Sequence, residues 1–447
     1  MKLFKRKYLW VITTIVLAIG YVISCTKNDQ VLDIPQTNTS TDLVSIKTTT
    51  PPVIDGTIDA SWNNATKLNI TPTVPDPGNA LFTGYIGDQY PATLRSMYDD
   101  QYVYFLAEWN DPTKNANVTP WYFNPTTKRW AQESSSRTFD ANGNLTREGW
   151  GEDKLALLWN IDFSTPKFIT QTCYASCHVF TPYADFSASP DTMVSNAASG
   201  NHYTNGSDEK IDMWWARLGY ISKNSSLNFM DDNYQDWAGG PSITNLTGGN
   251  ANGRHQDDTY PDGTKSAKWP YRPNYTTSPA QGEINNRISL KLNGNGASVN
   301  VPQYVYVGAA TANFILASDT ASASVKRVVR VDSTGVLTFA DASTLDPNAT
   351  TDYNRTGDPV TGGVGTKSIP GYIAAPLLGG RADITCAAVY TGSGWVVEFK
   401  RKLKTNDVLK QDVDFSSLQD QQFGMAIWNA SNYQHGIQPN LVLKFKK

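Results

Sequence analysis

The chain has 447 residues and a formal net charge of −3 at pH 7, from 38 basic and 41 acidic side chains. This balance provides no basic field for nucleic acid, which we therefore exclude as a partner. The high aromatic content, the 33 Gly and 24 Pro residues and the absence of a long helical period predict an all-β protein.

Residues 1–24 have the pattern of a lipoprotein signal peptide. A basic start is followed by an apolar run over residues 8–23 and by Ser24-Cys25, which resembles a bacterial lipobox. Acylated Cys25 would then be the mature N-terminus and a lipid anchor. An uncleaved membrane anchor is the alternative, because the apolar run is nearly long enough to span a bilayer. Either interpretation predicts an extracytoplasmic protein, and the lipid form would lie on the periplasmic face, the outer membrane or the cell surface.

Residues 25–50 are polar and predict a flexible tether, so that the folded body is expected at residues 51–447. Apolar alternation around Asp99 predicts a hairpin from residues 94–98 and 102–109. The more apolar run 154–161 predicts a central strand that is covered on both faces. Five further strands are predicted near the C-terminus, at residues 301–307, 312–317, 395–399, 424–428 and 441–445.

Residues 163–296 are dense in Asn, Asp, Gly, Ser, Thr and Pro, which predicts a loop-rich insertion with one clear strand at residues 211–217. This region contains Cys-Tyr-Ala-Ser-Cys-His at residues 173–178. Two thiols followed at once by an imidazole are typical of covalent haem attachment, although the usual spacing has two residues between the cysteines rather than three.

The motif predicts one covalent haem c, with thioether bonds from Cys173 and Cys177 and with His178 as the proximal iron ligand. A Cys173–Cys177 disulfide is a second interpretation, and it would close a very tight loop. A zinc site is a third and requires a further strong ligand, for which the neighbouring sequence offers no second Cys pair.

Met193 is our prediction for the sixth iron ligand, because this thioether lies on a polar stretch with few apolar neighbours in sequence. His202 is the rival, and Met213 is less favoured because it lies in the predicted strand 211–217. A Met ligand would raise the reduction potential, whereas a second imidazole would lower it. Cys386, the remaining cysteine, is expected to be a buried strand residue.

Several stretches resemble the start that family-9 carbohydrate-binding modules share with the haem-binding subunit domain of ethylbenzene dehydrogenase and similar DMSO-reductase-type molybdenum enzymes. They are Val53-Ile54-Asp55-Gly56 with Trp62, and the strand before Trp109-Asn110-Asp111. Residues 151–160, the Cys-Cys-His motif and Asp212-Met213-Trp214-Trp215 favour the haem branch. The C-terminal stretches 395–403 and 423–428 also fit.

The resemblance implies an immunoglobulin-like β-sandwich that holds one haem on long loops and transfers electrons. It also implies a redox partner protein, either a molybdenum oxidoreductase or another cytochrome, and an electron-transfer role rather than an enzymatic one. The enzyme subunit holds its haem non-covalently through Met and Lys, whereas this chain carries attachment cysteines, so those ligands are not transferred.

A surface lipoprotein that binds carbohydrate, of the family-9 type, is the alternative function. It would use aromatic side chains as stacking platforms for sugar rings, and candidates for this role are Trp121, Tyr122, Trp130, Trp214, Trp215 and Trp237. A hydrolase finds little support, because the sequence contains neither Gly-x-Ser-x-Gly nor His-Glu-x-x-His.

Overall fold

The described elements of the chain are strands and short 3-10 helices. The computed structural model describes residues 41–76, 82–147, 149–166, 168, 182–184, 193–195, 204, 208–221, 226–236, 254–256, 282–307, 312–355, 365–405, 407 and 410–447, with the backbone alone at 182–184, 193–195 and 254–256. Among these residues, no helix has the length and apolar character needed to cross a membrane.

The part of the chain described up to residue 256 contains fourteen strands. They are β1 (Asp42–Lys47), β2 (Leu68–Ile70), β3 (Ala92–Tyr98), β4 (Tyr102–Asn110), β5 (Trp121–Asn124), β6 (Arg129–Gln132), β7 (Thr138–Phe139), β8 (Leu145–Arg147), β9 (Glu152–Asn160), β10 (Pro182–Ala184), β11 (Met193–Ser195), β12 (Ile211–Arg217), β13 (Phe229–Gln235) and β14 (Arg254–Gln256).

The remaining strands follow from residue 282 onward. They are β15 (Gly282–Asn285), β16 (Ile288–Lys291), β17 (Ser298–Val301), β18 (Tyr304–Tyr306), β19 (Ile315–Leu316), β20 (Val325–Val331), β21 (Leu337–Phe339), β22 (Thr344–Leu345), β23 (Tyr372–Ala375), β24 (Ile384–Tyr390), β25 (Gly394–Lys402), β26 (Gln421–Ser431) and β27 (Gly436–Lys446). Within the described residues, 3-10 helices lie at Ala60–Asn64, Ile161–Phe163, Ala317–Ala321 and Gly379–Ala382.

The main sheet has twelve strands in the order β1-β27-β26-β9-β12-β13-β24-β25-β4-β3-β2, with β14 paired to β13. Because β1 also pairs with β3, the path closes on itself. Its two halves face each other across one apolar core, since the ring of Phe105 in β4 lies 5.8 Å from those of Trp159 in β9 and Trp214 in β12. The prediction of an all-β sandwich is therefore confirmed, while its immunoglobulin-like detail stays a prediction.

Several strands form where the sequence predicts them. Residues 94–98 and 102–109 lie in the β3–β4 hairpin, whose turn is held by Asp99, because one of its carboxylate oxygens accepts hydrogen bonds from the backbone N–H groups of Gln101 and Tyr102. The predicted central strand is β9, which pairs with β26 on one side and with β12 on the other. Cys386 is fully buried in β24, as expected, and burial raises the pKa of its thiol.

Three predictions about local structure are wrong. Residues 42–47 form β1 rather than flexible tether, because Leu43 and Ser45 are fully buried between β27 and β3. The predicted strand 301–307 is two strands, since Pro302 between them has no backbone N–H to donate. Residues 312–317 contain only the two-residue strand β19.

The stretch 163–296 contains more strands than its loop-like composition predicts. β13 belongs to the main sheet, and Met230 and Tyr234 on one of its faces are buried. β15 and β16 pair outside that sheet with β23 and β17, respectively. Strand pairing and burial therefore override the weak local preference of Asn and Asp here.

A second apolar core lies among the smaller sheets. It joins the β5–β6 hairpin to strands of the 282–375 region through buried Trp121, Phe123, Trp130, Val301, Val305, Val328, Val331, Leu337, Phe339 and Ile369. The prediction of one sandwich with loop insertions missed this packed unit.

A buried carboxylate connects the beginning of the folded body, at residues 55–62, to the main sheet. Glu398 in β25 is fully buried, and it accepts hydrogen bonds from the Trp62 indole N–H at 2.8 Å and from the Gly56 backbone N–H at 2.8 Å. The Ile-Asp-Gly turn and the tryptophan that follows are thus held by one carboxylate, which satisfies hydrogen-bonding groups that burial would otherwise leave unpaired.

Candidate functional site

The predicted haem ligands belong to the connection between β9 and β12, which are neighbours in the middle of the main sheet. Cys173, Cys177, His178 and the rival ligand His202 lie outside the described residues, as does the predicted lipidation site Cys25. Their assignments therefore stay predictions.

Met193 is described through its backbone alone. It begins β11 and is the register partner of Ala184 in β10, so that this position lies in a short antiparallel hairpin rather than in the polar loop that the sequence predicts. Cross-strand pairing supplies the order that local composition did not indicate.

The two ends of the β9–β12 connection are joined by hydrogen bonds. The Ser164 side-chain oxygen accepts from the Lys210 backbone N–H at 2.9 Å and donates to the Lys210 carbonyl at 3.1 Å. The Asn160 side chain accepts from the Thr165 N–H at 2.9 Å and donates to its carbonyl at 3.1 Å. The Thr204 backbone N–H donates to the carbonyl of Asp236, just beyond β13. These hydrogen-bonded ends, which we call the base of the connection, are thus fixed on the main sheet.

A buried cluster of charged side chains lies inside the sandwich, at the end of the sheet that carries the β9–β12 connection. Arg401 of β25 contacts three carboxylates through one terminal nitrogen, at 2.6 Å from Asp212, 3.6 Å from Asp412 and 3.8 Å from Asp232. Asp212 and Asp232 are fully buried, as is Arg401. Three carboxylates around one guanidinium leave an excess of negative charge in a low-dielectric interior.

Asp212 has a perturbed carboxyl group. Burial, together with the nearby Asp412 carboxylate, raises its pKa to about 7, although Arg401 opposes the shift. One of its oxygens accepts from Arg401 and from the Val413 backbone N–H at 2.9 Å, whereas the other has no hydrogen-bond partner. A proton on that second oxygen would relieve the excess charge.

The three carboxylates have the separation of a metal-binding group. However, Arg401 already occupies the position of the counter-cation, and it also donates a hydrogen bond to the Val413 carbonyl. Burial alone would lower the pKa of Arg401, but the carboxylates raise it above its ordinary value, so the side chain stays charged. The guanidinium therefore offsets part of the negative charge and occupies the position between the carboxylates that a metal ion would need.

Aromatic rings pack directly beneath the cluster. Trp159 and Trp214 have ring centroids 4.9 Å apart, and the Arg401 guanidinium lies 4.9 Å from the Trp214 ring. Phe423 stacks on Trp159 at 4.6 Å. Such contacts add to the stabilisation from apolar burial. They also form a packed aromatic layer beneath the base of the connection.

On the outer face of the sheet, a second aromatic group lies at the opposite end of β9. The rings of Trp215 and Trp428 are stacked at 6.2 Å, and His435 stacks on Trp428 at 4.3 Å. Lys154 is buried, and its ammonium group donates to the Ser431 carbonyl at 2.9 Å. Burial lowers the pKa of His435 to about 4, so this imidazole is neutral at pH 7.

Lys154 and Met213 do not form a non-covalent Met–Lys haem site. The register places Lys154 opposite Arg217, four positions along β12 from Met213, which is roughly 13 Å of strand. Met213 sulfur accepts a hydrogen bond from the Gln235 side chain, and the Lys154 ammonium binds a carbonyl. By contrast, the β9–β12 connection carries two thiols, two imidazoles and a thioether in sequence, a donor set that fits a covalent haem.

The aromatic residues proposed for sugar stacking are mostly part of the cores. Trp121, Trp130 and Trp214 are at most 6% exposed, so they offer no open ring face. Tyr122 and Trp215 are partly exposed, and Trp237 lies outside the described residues. Half of the proposed stacking set is therefore wrong, because tertiary packing and not local sequence decides which aromatic rings reach solvent.

Sequence reasoning missed the Arg401 cluster as a site. The available signal was the presence of Asp212 within a predicted apolar strand and of Arg401 two residues after another, because charged residues in such positions are seldom fully buried unless paired. The participation of Asp232 and Asp412 had no comparable signal, since they lie in polar stretches.

No curated protein matches the chain. Solved structures of a carbohydrate-binding module family 9 (CBM9) from Caldicellulosiruptor kristjanssonii, in complex with glucose and with cellotriose, share 10% and 11% identity and have a TM-score of 0.25. The alignments cover 91% of this chain and 95% and 93% of those chains. At this TM-score, the likeness supports no further conclusion.

A family model described as "Ethylbenzene dehydrogenase" matches residues 59–439. The matched segment begins immediately before the first 3-10 helix and ends within β27, so it includes the main sheet from β2 onward, the β9–β12 connection and the second core. Since this segment comprises well over half of the 447 residues, the chain belongs to the ethylbenzene dehydrogenase family.

Proposed function

We propose that this chain is a lipid-anchored, extracytoplasmic electron-transfer protein that holds one haem c on the β9–β12 connection. The observation that carries the proposal is the placement of the Cys-Cys-His motif in a connection whose two ends are hydrogen-bonded on the central strands of the sandwich. A cofactor held on such a base keeps a constant orientation toward a partner.

The residues of the connection have distinct roles in this proposal. The Cys173 and Cys177 sulfurs would hold the haem through thioether bonds, and the His178 imidazole would ligate its iron. Met193 is the proposed further ligand, with His202 as the rival. A haem held there would supply one-electron oxidation and reduction. The sandwich itself excludes water below the base of the connection, through the packed rings of Trp159 and Trp214.

The proposed role is that of an electron carrier rather than of a catalytic chain. Membership in the ethylbenzene dehydrogenase family favours a molybdenum oxidoreductase as the redox partner, and another cytochrome is the second choice. The family-9-type sugar-binding alternative loses support from the burial of Trp121, Trp130 and Trp214.

Haem attachment is tested in a host that has the machinery for cytochrome c maturation. We expect a Soret band, and haem that stays on the protein after acid–acetone extraction and denaturing electrophoresis. The double substitution Cys173→Ala/Cys177→Ala should abolish the haem stain. Cys386→Ala is the matched control, because Cys386 is buried in β24 and should leave the stain unchanged. A colourless wild-type protein would contradict the assignment.

The sixth ligand is tested by spectroscopy of the ferric protein. Sulfur ligation produces a weak charge-transfer band at the red end of the spectrum, which Met193→Ala should remove. If that band persists in Met193→Ala, Met193 is not the ligand. If His202→Ala alone converts low-spin iron to high-spin iron, His202 is the ligand.

Anchoring is tested by membrane fractionation. Cys25→Ala should leave the precursor unprocessed or release the body from the membrane, because the acylated position is lost. Thr26→Ala, at the neighbouring residue, is the control and should remain membrane-bound. Normal processing together with membrane retention of Cys25→Ala would refute lipidation.

A further inference from the structure

A polar cleft lies beside the second core, remote in sequence from the haem motif. It has a volume of about 410 Å³ and lies between β6 and β17, with the lining residues Trp121, Arg129, Trp130, Ala131, Gln132, Arg287, Val299 and Asn300. A volume of this size falls within the usual range for small-molecule sites and is sufficient for a sugar ring.

The cleft contains two guanidinium groups and no acidic lining residue. Arg129 donates to the carbonyls of Lys128 at 2.9 Å and Ser333 at 3.1 Å, which hold it in place without neutralising its charge. Arg287 is exposed, and within the described part of the chain neither arginine has a carboxylate partner. Most other arginines of the described residues lie in ion pairs, and Arg147 and Arg355 share the Glu133 carboxylate. The cleft is therefore locally positive in a chain with net charge −3.

Both walls of the cleft also present strand edges. In an antiparallel pair, residues that bond to the partner strand alternate with residues whose backbone groups point away from it. The Glu133 N–H donates to the Pro120 carbonyl, so by this alternation the backbone N–H and C=O groups of Trp130 and Gln132 point away from β5. The Leu292–Ala297 hydrogen bond sets the same alternation in β16–β17 and directs those of Asn300 away from β16. These edges supply fixed donors and acceptors next to the guanidinium groups.

The side chains of the walls add amide and apolar surface. Gln132 donates to the Thr119 carbonyl at 3.2 Å, and this contact leaves its amide oxygen available as an acceptor. Asn300 is exposed. The indole N–H groups of Trp121 and Trp130 already donate, each at 2.8 Å, to the carbonyls of Asn286 and Gly335. The tryptophans therefore contribute no further polar hydrogen from their rings.

We propose that this cleft binds a carboxylate-bearing sugar, such as a uronic acid residue. Guanidinium groups bind carboxylates through paired, charge-assisted hydrogen bonds. Amide side chains and strand edges suit ring hydroxyls, which both donate and accept. A neutral sugar would leave both guanidinium charges without a partner, and a small inorganic anion would leave the strand edges unused.

The test is a calorimetric or NMR titration of the purified full chain with glucuronate, with glucose as the neutral match and sulfate as the inorganic anion. Glucuronate should bind saturably and more tightly than either. Arg287→Gln should weaken glucuronate binding about tenfold or more, since a charge-assisted bond is lost. Arg327→Gln, an exposed arginine of β20 outside the cleft, is the matched control and should bind like wild type.

Three results would overturn the proposal: no saturable binding of glucuronate, equal binding of glucuronate and glucose, or equal binding of glucuronate and sulfate. Unchanged affinity in Arg287→Gln would also overturn it, provided that circular dichroism shows the variant to be folded. The readout is independent of haem, so the Cys173→Ala/Cys177→Ala protein should bind glucuronate as wild type does.

Discussion

Asp212 is the carboxyl group that we expect to couple the stability of the sandwich to pH. Burial raises its pKa from 3.8 to about 7, so between these values the folded state holds a proton that the unfolded state has lost. The free energy of unfolding must then fall as pH rises through this window. Between about pH 5 and about pH 7 the slope falls from about 1.4 kcal/mol per unit to half of that, because the folded-state carboxyl itself titrates near pH 7, and the Asp212 contribution amounts to about 2 kcal/mol.

Asp212→Asn should remove this contribution while preserving the local bonds. The amide oxygen can accept from Arg401 and from the Val413 N–H, and the NH₂ group replaces the oxygen that has no partner. Relative to wild type, the variant should therefore gain about 2 kcal/mol of stability on going from about pH 5 to about pH 7.

The assay is urea unfolding followed by tryptophan fluorescence at several pH values between these limits. Asp100→Asn is the control, because Asp100 forms an exposed ion pair with Lys47 and its removal should not change the pH dependence. Asp153 and Asp111, whose pKa values burial raises to about 7 and about 6, contribute to the slope in both proteins. If Asp212→Asn retained the wild-type pH dependence, the reasoning would be refuted.

Two further predictions concern the same end of the sandwich. Arg401→Met should lower the free energy of unfolding by about 3–5 kcal/mol near pH 7, measured with urea, because it leaves buried carboxylates without their counter-charge. The control Lys404→Met, at an exposed position, should change stability little. A loss below about 1 kcal/mol in Arg401→Met would contradict the prediction. In Cys173→Ala/Cys177→Ala, hydrogen exchange should stay slow in β12, since it pairs with β9 and β13 on its two sides. Fast exchange throughout β12, or a global loss of β-structure by circular dichroism, would show that haem and not packing maintains the sheet.

The sequence by itself determined the elements in which local pattern and final environment agree. The β3–β4 hairpin follows from apolar alternation around an aspartate that can hold a turn, and β9 follows from an apolar run suited to burial on both faces. Cys386 was identifiable as a buried strand residue for the same reason. Sequence reasoning also located the Cys-Cys-His motif and its order along the chain, since covalent attachment chemistry depends on near neighbours.

Only the tertiary structure determined the strands and charged clusters whose residues depend on partners distant in sequence. β1 is a strand because β27, some 400 residues later, supplies its hydrogen bonds and covers Leu43. Asp212, Asp232, Arg401 and Asp412 meet only because the main sheet brings β12, β13 and β25 together with the segment before β26. The electrostatic energy of such a cluster depends on separation and burial, and a pattern of residue types along the chain contains neither quantity.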